Sequence, residues 1–298
     1  MRNLIKPALE HLKDPRYFQI FYLSLFLSYG IFELGWNANI PGFIAVILVS
    51  LLTQMVFSFF LTKNYASWKS ALITALGLCL LLKSNQWEIL ALGGFLAIAS
   101  KFVFKVKGKH LFNPANFGII VTILITGEAW ISPGQWGSSP VLLYFIGAAA
   151  LMILFKVGRI DTSLIFLVTL FVLDIIYSQI YLGWEWSVFA HKATNGTLLL
   201  YAFFMITDPV TTPNHIKGRV IWSVLLGIIS FVLMSQFYIH TAPIWVLFFL
   251  APLTAFMDRK YQFERFQWLN LSVVGRGPII EKKNQLNNSN TIKLKQEI

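Results

Sequence analysis

Charged residues are scarce in this chain: Asp, Glu, Lys and Arg make up 12% of its 298 residues, whereas hydrophobic residues make up 56%. A soluble domain usually has about 25% charged residues. This composition leaves too little polar surface to cover a soluble globule of this size. It therefore indicates a protein embedded in a lipid bilayer, and the 27 Phe and 10 Trp suit lipid-facing and interfacial positions.

Residues that bind metals are also few or poorly placed. The single cysteine, Cys79, lies in an apolar run and excludes an internal disulfide or a four-cysteine zinc or iron–sulfur site within the chain. The histidines His191, His215 and His240 fall at the ends of apolar segments or in loops, without metal-ligand spacing on one helix. No metal site is predicted. The sequence also lacks a Walker motif, a nucleophile elbow and a dinucleotide-binding glycine fingerprint.

What the chain does contain is a series of apolar segments. Several are shorter than the usual ~20 residues of a spanning helix, which indicates short or broken helices inside a bundle. We predict an all-α polytopic membrane protein of about ten transmembrane helices, in which five spans plus five would form an inverted repeat. The predicted segments cover roughly residues 18–36, 41–62, 68–83, 86–104, 116–130, 139–156, 162–183, 193–207, 218–238 and 242–257.

The basic residues predict the orientation. With ten spans, both termini and the even-numbered loops share one side, and all but two of the 24 Lys and Arg lie there; the exceptions are Lys83 and Lys192. Basic loops stay in the cytoplasm, so we predict a multi-pass protein of the cell membrane with both termini cytoplasmic. Residues 1–17 would be a cytoplasmic segment, 18–258 the transmembrane domain, and 259–298 a cytoplasmic tail with a disordered last part. The basic face suits anionic lipid, and no nucleic-acid binding is expected.

An acid and two prolines end the eighth apolar segment, in the stretch from Ala202 to Pro213. Proline cannot donate a backbone hydrogen bond and disfavours helix at the residue before it, so the helix must break near Asp208. Within a membrane, such a break survives only where it is buried in protein or lines a cavity. The structural alternative is that Asp208 caps a loop or pairs with Lys217 or Arg219. The candidate ligand-binding residues here are Thr207, Asp208, Pro209 and Thr211.

A second break, Asn113-Pro114-Ala115-Asn116, precedes the fifth apolar segment. Asn113 can cap a helix that begins at Pro114, which is the structural interpretation. The functional interpretation is that the positive end of this helix, with Asn113, Pro114 and Asn116, faces a polar or anionic ligand. The predicted topology places Asn113 and Asp208 on the same side, so we predict that the two breaks line one ligand site.

Asp174 lies in the middle of the apolar run 162–183. A carboxylate at that depth is costly unless it is paired or hydrated. Two interpretations are open. Asp174 hydrogen-bonds a neighbouring helix while protonated, or it belongs to an ion or proton path.

The segments that carry the two breaks, Phe112-Asn113-Pro114-Ala115 and Ala202 to Thr211 with Gly218 following, resemble a known family. They are similar to the RnfD membrane protein of Rnf electron-transport complexes and to its NQR2 counterpart in the sodium-translocating NADH:quinone oxidoreductase. The resemblance covers roughly residues 15–258. It implies a ten-helix flavoprotein subunit of an ion-translocating oxidoreductase, with flavin or quinone as ligand and other membrane or redox subunits as partners.

The chain departs from this family in the loop predicted to lie outside. Family members carry a Ser-Gly-Ala-Thr motif whose threonine holds FMN through a phosphoester, but residues 127–138 contain no threonine. The nearby Ser138 and Ser139 are weak substitutes, so no covalent FMN is expected. The resemblance leaves a non-covalent flavin, FMN or riboflavin, near the cytoplasmic breaks. With this short loop, the chain resembles a short, stand-alone branch of the family, the UnbU-type proteins of enediyne gene clusters.

Two functions are compatible with these features. The first is an electron-transport subunit that binds flavin or quinone between the broken helices and is coupled to ion movement. The second is a transporter or permease that uses the same broken helices to bind a solute or an ion, without a redox cofactor.

Overall fold

The apolar segments predicted from the sequence form helices wherever the structure describes them. The computed structural model describes residues 14–62, 67–136, 147, 158–264 and 266, and Pro15–Phe266 form one unit. Within this part, each predicted segment coincides with a helix to within a few residues. The sixth segment, 139–156, lies outside the described residues except for Gly147, as do most of the predicted N-terminal segment and tail.

Three of the described helices continue directly into π-helical turns. They are α2 (Ile40–Phe57), followed by Ser58–Thr62, α6 (Ile160–Asp174), followed by Ile175–Tyr181, and α8 (Gly196–Leu200), followed by Tyr201–Met205. The helix α7 (Trp186–Ala193) lies where the sequence predicts only a loop. In chain order the α-helices are α1 (Pro15–Phe32), α2 (Ile40–Phe57), α3 (Trp68–Leu81), α4 (Trp87–Val103), α5 (Pro114–Thr126), α6 (Ile160–Asp174), α7 (Trp186–Ala193), α8 (Gly196–Leu200), α9 (Ile216–Gln236) and α10 (Ala242–Lys260).

The helices have the length and composition of membrane spans. One face of α2 exposes Ile44, Leu48, Leu52 and Met55, a helical spacing that turns apolar side chains toward lipid. The chain is therefore an all-α multi-pass membrane protein, as the sequence predicts. Four segments are long and apolar enough to cross a membrane: Ile40–Leu61, Ile160–Tyr181, Ile216–Gln236 and Ala242–Lys260.

The short helices occupy the interior. All five residues of α8 are buried, and α3 and α5 contribute side chains with at most 2% of their surface exposed, such as Leu78 and Ile119. A helix that is apolar on every side belongs in the core of a bundle. The short spans predicted from the sequence are thus helices packed deep inside the bundle.

Two short antiparallel strand pairs lie in the connections, where the sequence predicts only helices and loops. Strand β1 (Leu82–Ser84) follows α3 and pairs with β4 (Ala129–Ile131), with Lys83 opposite Trp130. Strands β2 (Lys105–Val106) and β3 (Lys109–His110) form a hairpin after α4. The pair of β1 and β4 joins two connections, whereas the hairpin of β2 and β3 folds one connection back on itself.

The helices alternate in direction, so their connections gather at two ends of the bundle. At one end, called here the Asp208 end, Lys109 from the connection after α4 binds Asp258 near the end of α10 (2.7 Å). At the same end, Arg219 near the start of α9 pairs with Asp161 at the start of α6 (2.6 Å). These contacts join the connections that the sequence predicts on one side.

At the other end, called here the Lys83 end, β1 pairs with β4, and Asn195 before α8 donates to the carbonyl oxygen of Pro133 (3.1 Å). Trp36, in the connection after α1, packs edge to face against Trp136, with ring centroids 5.0 Å apart. The described connections therefore separate into the two sets that the predicted topology requires.

The two halves of the chain share a packing pattern. In the first half, α2 packs on α4, and α4 on α5; in the second half, α6 packs on α9, and α9 on α10. The third helix of the first half, α3, and its counterpart α8 are both short, and prolines begin both α5 and α10. This correspondence supports the predicted repeat of five spans plus five.

A glycine allows the matching helix pairs to approach closely in both halves. A Cβ atom on Gly94 of α4 would lie 3.1 Å from the carbonyl oxygen of Val46 in α2. A Cβ atom on Gly227 of α9 would lie 2.8 Å from the Thr169 side chain in α6. Small residues at helix contacts are typical of membrane bundles.

Candidate functional site

The two proline breaks meet at the Asp208 end. The side-chain nitrogen of Asn113, Nδ2, donates to the carbonyl oxygen of Met205 (3.2 Å) and lies 3.5 Å from Oδ2 of Asp208. Asn113 and Asp208 are separated by 95 positions in the sequence. Their predicted approach is therefore confirmed, whereas their role in binding a ligand stays a prediction.

Asn113 serves the helix and the break together. Asn113 has an extended backbone and directly precedes Pro114. Its Oδ1 accepts a hydrogen bond from the backbone N–H of Asn116 (3.1 Å) and so caps α5. The cap uses only the oxygen of the amide. The nitrogen is left to hold Met205 and to face Asp208, so the structural and functional interpretations of Asn113 do not exclude each other.

Asp208 organises the turn that follows α8. Its Oδ1 accepts from the backbone N–H of Val210 (3.0 Å), and its carbonyl oxygen accepts from the N–H groups of Thr211 and Thr212, each at 3.1 Å. Pro209 has no N–H to offer, so the carboxylate reaches over it to the next donor. The hydroxyl of Thr207 donates back to Phe203 in the preceding turn. One carboxylate oxygen is thus fixed within the turn, and the other faces Asn113.

The electrostatics of the break make Asp208 easier to protonate than an ordinary aspartate. Burial raises the pKa of its carboxyl, while the Val210 N–H and the positive charges of Lys101 and Lys109 act in the opposite direction. Asp208 lies beyond the last helical turn before the break. It is therefore a group whose charge can respond to its surroundings.

Lys109 fastens the two breaks to α10. Its Nζ donates to the carbonyl oxygen of Thr212 and to Asp258 Oδ2 (2.7 Å), and Asp258 Oδ1 accepts from the N–H of Asn214 (2.8 Å). Burial lowers the pKa of Lys109, and Asp258 opposes that shift. The connection before α5 and the loop after Asp208 are thereby tied to one acidic side chain.

Arg219 has a different partner from the one predicted. Its Nε donates to Asp161 Oδ2 (2.6 Å), and its Nη1 donates to the carbonyl oxygen of Asn214 (2.8 Å). The predicted alternative, in which Asp208 pairs with Arg219, is therefore wrong, and Lys217 is exposed. Asp208 instead lies against Asn113 and its own turn.

The interior of the break combines unused polar atoms with aromatic rings. Asn116 Nδ2 donates to the carbonyl oxygen of Ile244 (2.7 Å), but its Oδ1 is buried without a hydrogen-bond partner, as are Thr212 Oγ1 and Asn214 Oδ1. The ring of Phe112 stacks on Phe248 of α10, with centroids 5.0 Å apart. A polar ligand with a flat apolar body would satisfy both features.

Asp174 has a basic partner. Its Oδ1 accepts from Lys192 Nζ (2.8 Å) and from the hydroxyl of Ser178 (3.0 Å), at the start of the π-helical turn after α6. The positive charge of Lys192, 18 positions later, therefore offsets the predicted free-energy cost of a carboxylate in an apolar run. Asp174 is thus paired with Lys192, and its place in an ion or proton path stays a prediction.

Other predicted features are not brought to this site. Ser138 and Ser139 lie outside the described residues. In the parts of the chain that the structure describes, no three His, Cys, Asp or Glu residues cluster closely enough to hold a metal ion. An apolar cavity of about 510 Å³ between α9 and α10 is lined by residues such as Leu233 and Trp245, and by neither Asn113 nor Asp208.

Sequence reasoning missed three charged residues near the site: Lys101, Lys109 and Asp258. Lys101 is buried in the last turn of α4, where its Nζ donates to Ser70 Oγ (3.2 Å), and its charge acts on Asp208. The sequence interpretation counts Lys101 only as part of a basic loop. The burial of Lys101 could have been predicted, because Ala97 and Ile98 precede it by four and three positions and share its helix face. The polar stretch begins only after Lys101.

These features define the class of the protein: a multi-pass helical membrane protein with a polar site where two broken helices meet. The comparison with known families is specific. Residues 123–266 match the NQR2, RnfD, RnfE family, which confirms the resemblance predicted from the sequence. The chain is also similar to the RnfD component of the ion-translocating oxidoreductase complex of Shewanella sediminis (strain HAW-EB3). The two are 22% identical, over 68% of this chain and 79% of that protein.

Proposed function

We propose that this protein is a membrane electron-transport subunit of an ion-translocating oxidoreductase, and that the contact between Asn113 and Asp208 marks its ligand site. The family match and the name of the Shewanella relative support the class of function. The contact itself carries the site assignment, because it brings two proline-broken helices together inside the bundle. Broken helices with polar groups at the break are typical of ligand sites in membrane proteins.

A flavin is the cofactor we propose, and the residues present fit it. The buried oxygens of Asn116, Thr212 and Asn214 lack partners and suit the polar edge of an isoalloxazine ring. Phe112 and Phe248 offer aromatic faces beside them. Asn113 and Asp208 would orient that polar edge. When bound, a flavin supplies one- and two-electron chemistry at a single ring system. A quinone head group has the same combination of a flat ring and polar oxygens.

Asp208 would supply the proton chemistry of the site. Because burial raises the pKa of its carboxyl, Asp208 can hold a proton more readily than a surface aspartate. Lys101 and Lys109 lie close enough to favour its charged form. The charge of Asp208 therefore depends on any ligand that adds negative charge or displaces a lysine, which would couple electron arrival to proton uptake.

The test is the visible spectrum of the purified protein before and after dithionite. A flavin absorption band that bleaches on reduction supports the proposal. Asp208→Asn and Asn113→Ala should lose this band while retaining expression and membrane insertion. Glu33→Gln removes an exposed carboxylate elsewhere and should keep the band. Colourless wild-type protein, or an unchanged band in Asp208→Asn, would count against the assignment.

The flavin we propose is non-covalent. The family that this chain resembles forms its phosphoester on a threonine of the loop after α5, and residues 127–138 contain no threonine. Denatured protein on a gel should therefore show no flavin fluorescence, and flavin should appear in the supernatant. A fluorescent band whose label maps to Ser138 or Ser139 would show that serine replaces the threonine.

The second candidate function, a transporter or permease, draws on the matching halves of the fold. Short third helices in both halves, α3 and α8, and the shared packing pattern are features of transporters built from inverted repeats. This function predicts a colourless protein whose Asp208 variants change solute or ion uptake in vesicles. The dithionite spectrum separates the two candidates.

A further inference from the structure

Lys83 is held inside the protein at the end opposite Asp208. It lies in β1, two residues after α3 ends, and the strand pair with β4 places it opposite Trp130. Only 7% of its surface is exposed. The ladder fixes its backbone, so its side chain cannot easily extend to water.

The amine of Lys83 is surrounded by aromatic rings. Its Nζ lies 4.0 Å from the ring centroid of Trp36 and 5.1 Å from that of Phe43. Within the described residues, this buried Nζ has no hydrogen-bond partner and no carboxylate pairs with it. The rings of Trp36 and Phe43 are called here the cage, and Trp36 in turn packs against Trp136.

The described neighbouring segments supply no compensating charge. Among their residues, the only titratable group that acts on Lys83 is the Cys79 thiol, one turn earlier in α3. Glu128 and Glu88, from the adjoining connection and α4, are both exposed, and Glu128 accepts from Gln86 (2.6 Å). The other lysine at this end, Lys192, differs because it is paired with Asp174.

A charged amine in this cage is poorly compensated. Burying an unpaired ammonium ion costs more free energy than cation–π contacts with two rings return. Burial accordingly lowers the pKa of Lys83 to about 8. The neutral amine leaves no charge to compensate.

We propose that Lys83 is a proton-exchange site, in which the buried amine between Trp36 and Phe43 binds and releases one proton. The reaction is a simple acid–base step: the ammonium gives a proton to water and becomes a neutral amine with its lone pair intact. No electron moves and no cofactor is needed, so the proposal does not depend on the flavin at the Asp208 end. Together with Asp208, it gives the bundle one titrating group at each end.

The experiment follows tryptophan fluorescence of the purified full-length protein between pH 6 and pH 10, since an ammonium group in contact with an indole quenches its emission. Wild-type protein should brighten with a midpoint near 8 as Lys83 loses its proton. Lys83→Met and Lys83→Arg should lack this transition, because neither side chain titrates in that range. Lys192→Met, the matched control from the same end, should keep it.

Trp36→Phe provides a second arm that leaves Lys83 and an aromatic cage in place. This variant should fold and lose the fluorescence change, because the reporting indole is gone. The proposal is overturned if wild-type emission is flat between pH 6 and pH 10, or if Lys83→Arg retains the same transition. It is also overturned if Trp36→Phe keeps the full amplitude, since the titrating group would then lie beside another tryptophan.

Discussion

Asp208 shows how one side chain can combine a structural and a chemical role. Its Oδ1 is used to close the turn at Val210, while its Oδ2 faces Asn113 across the break. The sequence could indicate this residue because an acid beside a proline ends an apolar segment. It could not indicate that Lys101 and Lys109 act on Asp208, since that effect depends on segments far apart in the chain coming together.

Replacing Asp208 with Asn should alter how stability depends on pH. The folded-state pKa of Asp208 is raised above the ordinary value of 3.8, so its contribution to stability is greatest at low pH and is lost as pH rises through the folded pKa. Asp208→Asn cannot ionise. Relative to wild type, it should therefore gain stability as pH increases above about 4, measured by unfolding in mixed detergent micelles at several pH values. A constant difference across pH would show that Asp208 keeps an ordinary pKa.

The pair of Arg219 and Asp161 should be costly to break on one side only. Arg219→Met leaves a mostly buried carboxylate without its cation and should destabilise the protein by about 3–5 kcal/mol. The double variant with Asp161→Asn should recover part of this loss, because no buried charge remains. Lys217→Met, two positions away and exposed, should stay within about 0.5 kcal/mol of wild type. Equal effects at Arg219 and Lys217 in a micelle unfolding assay would contradict the assignment.

At the scale of elements, the sequence predicts which segments are helices much better than which helices touch. Apolar length and the prolines at 114 and 243 mark the helix positions, and these features are local. The pairing of α2 with α4 and of α6 with α9 depends on the close approach of whole helices, which a single sequence does not encode locally. The same limit explains the missed strand pair of β1 and β4, because each strand has only three residues.

The glycine at the contact of α2 and α4 should not tolerate a methyl group. Gly94→Ala would place its Cβ 3.1 Å from Val46 O and 2.9 Å from Ser50 Oγ, so the helices must separate. We expect a loss of about 1–3 kcal/mol in detergent unfolding. Gly77→Ala is the matched control, because its Cβ would make an ordinary 3.6 Å contact with Ala115. That substitution should be neutral or stabilising by up to about 1 kcal/mol. Equal destabilisation by both variants would contradict the explanation by close packing, because only Gly94 lies too near its neighbours to accept a methyl group.

At the scale of the whole molecule, the charge of the chain and its architecture agree. Among the described residues, the Asp208 end gathers Lys109 and Arg219, whereas the Lys83 end retains Lys83 and Lys192. Both exceptions are explained by contacts at that end: Lys192 pairs with Asp174, and Lys83 sits in its aromatic cage. The sequence alone could identify them as exceptions, but not why they are tolerated.

The orientation of the bundle follows from this asymmetry and can be tested directly. Because basic connections remain in the cytoplasm, the Asp208 end should face inward and the Lys83 end outward, with both termini inside. The native Cys79 is buried, so single cysteines introduced elsewhere can report their own side. In intact cells, a membrane-impermeant maleimide should label a cysteine at Ser132 and leave those at Lys107 and Lys217 unlabelled. Permeabilised cells provide the control, in which all three should react. Labelling of the cysteine at position 217 without permeabilisation would contradict the predicted orientation and place the Asp208 site on the outer face.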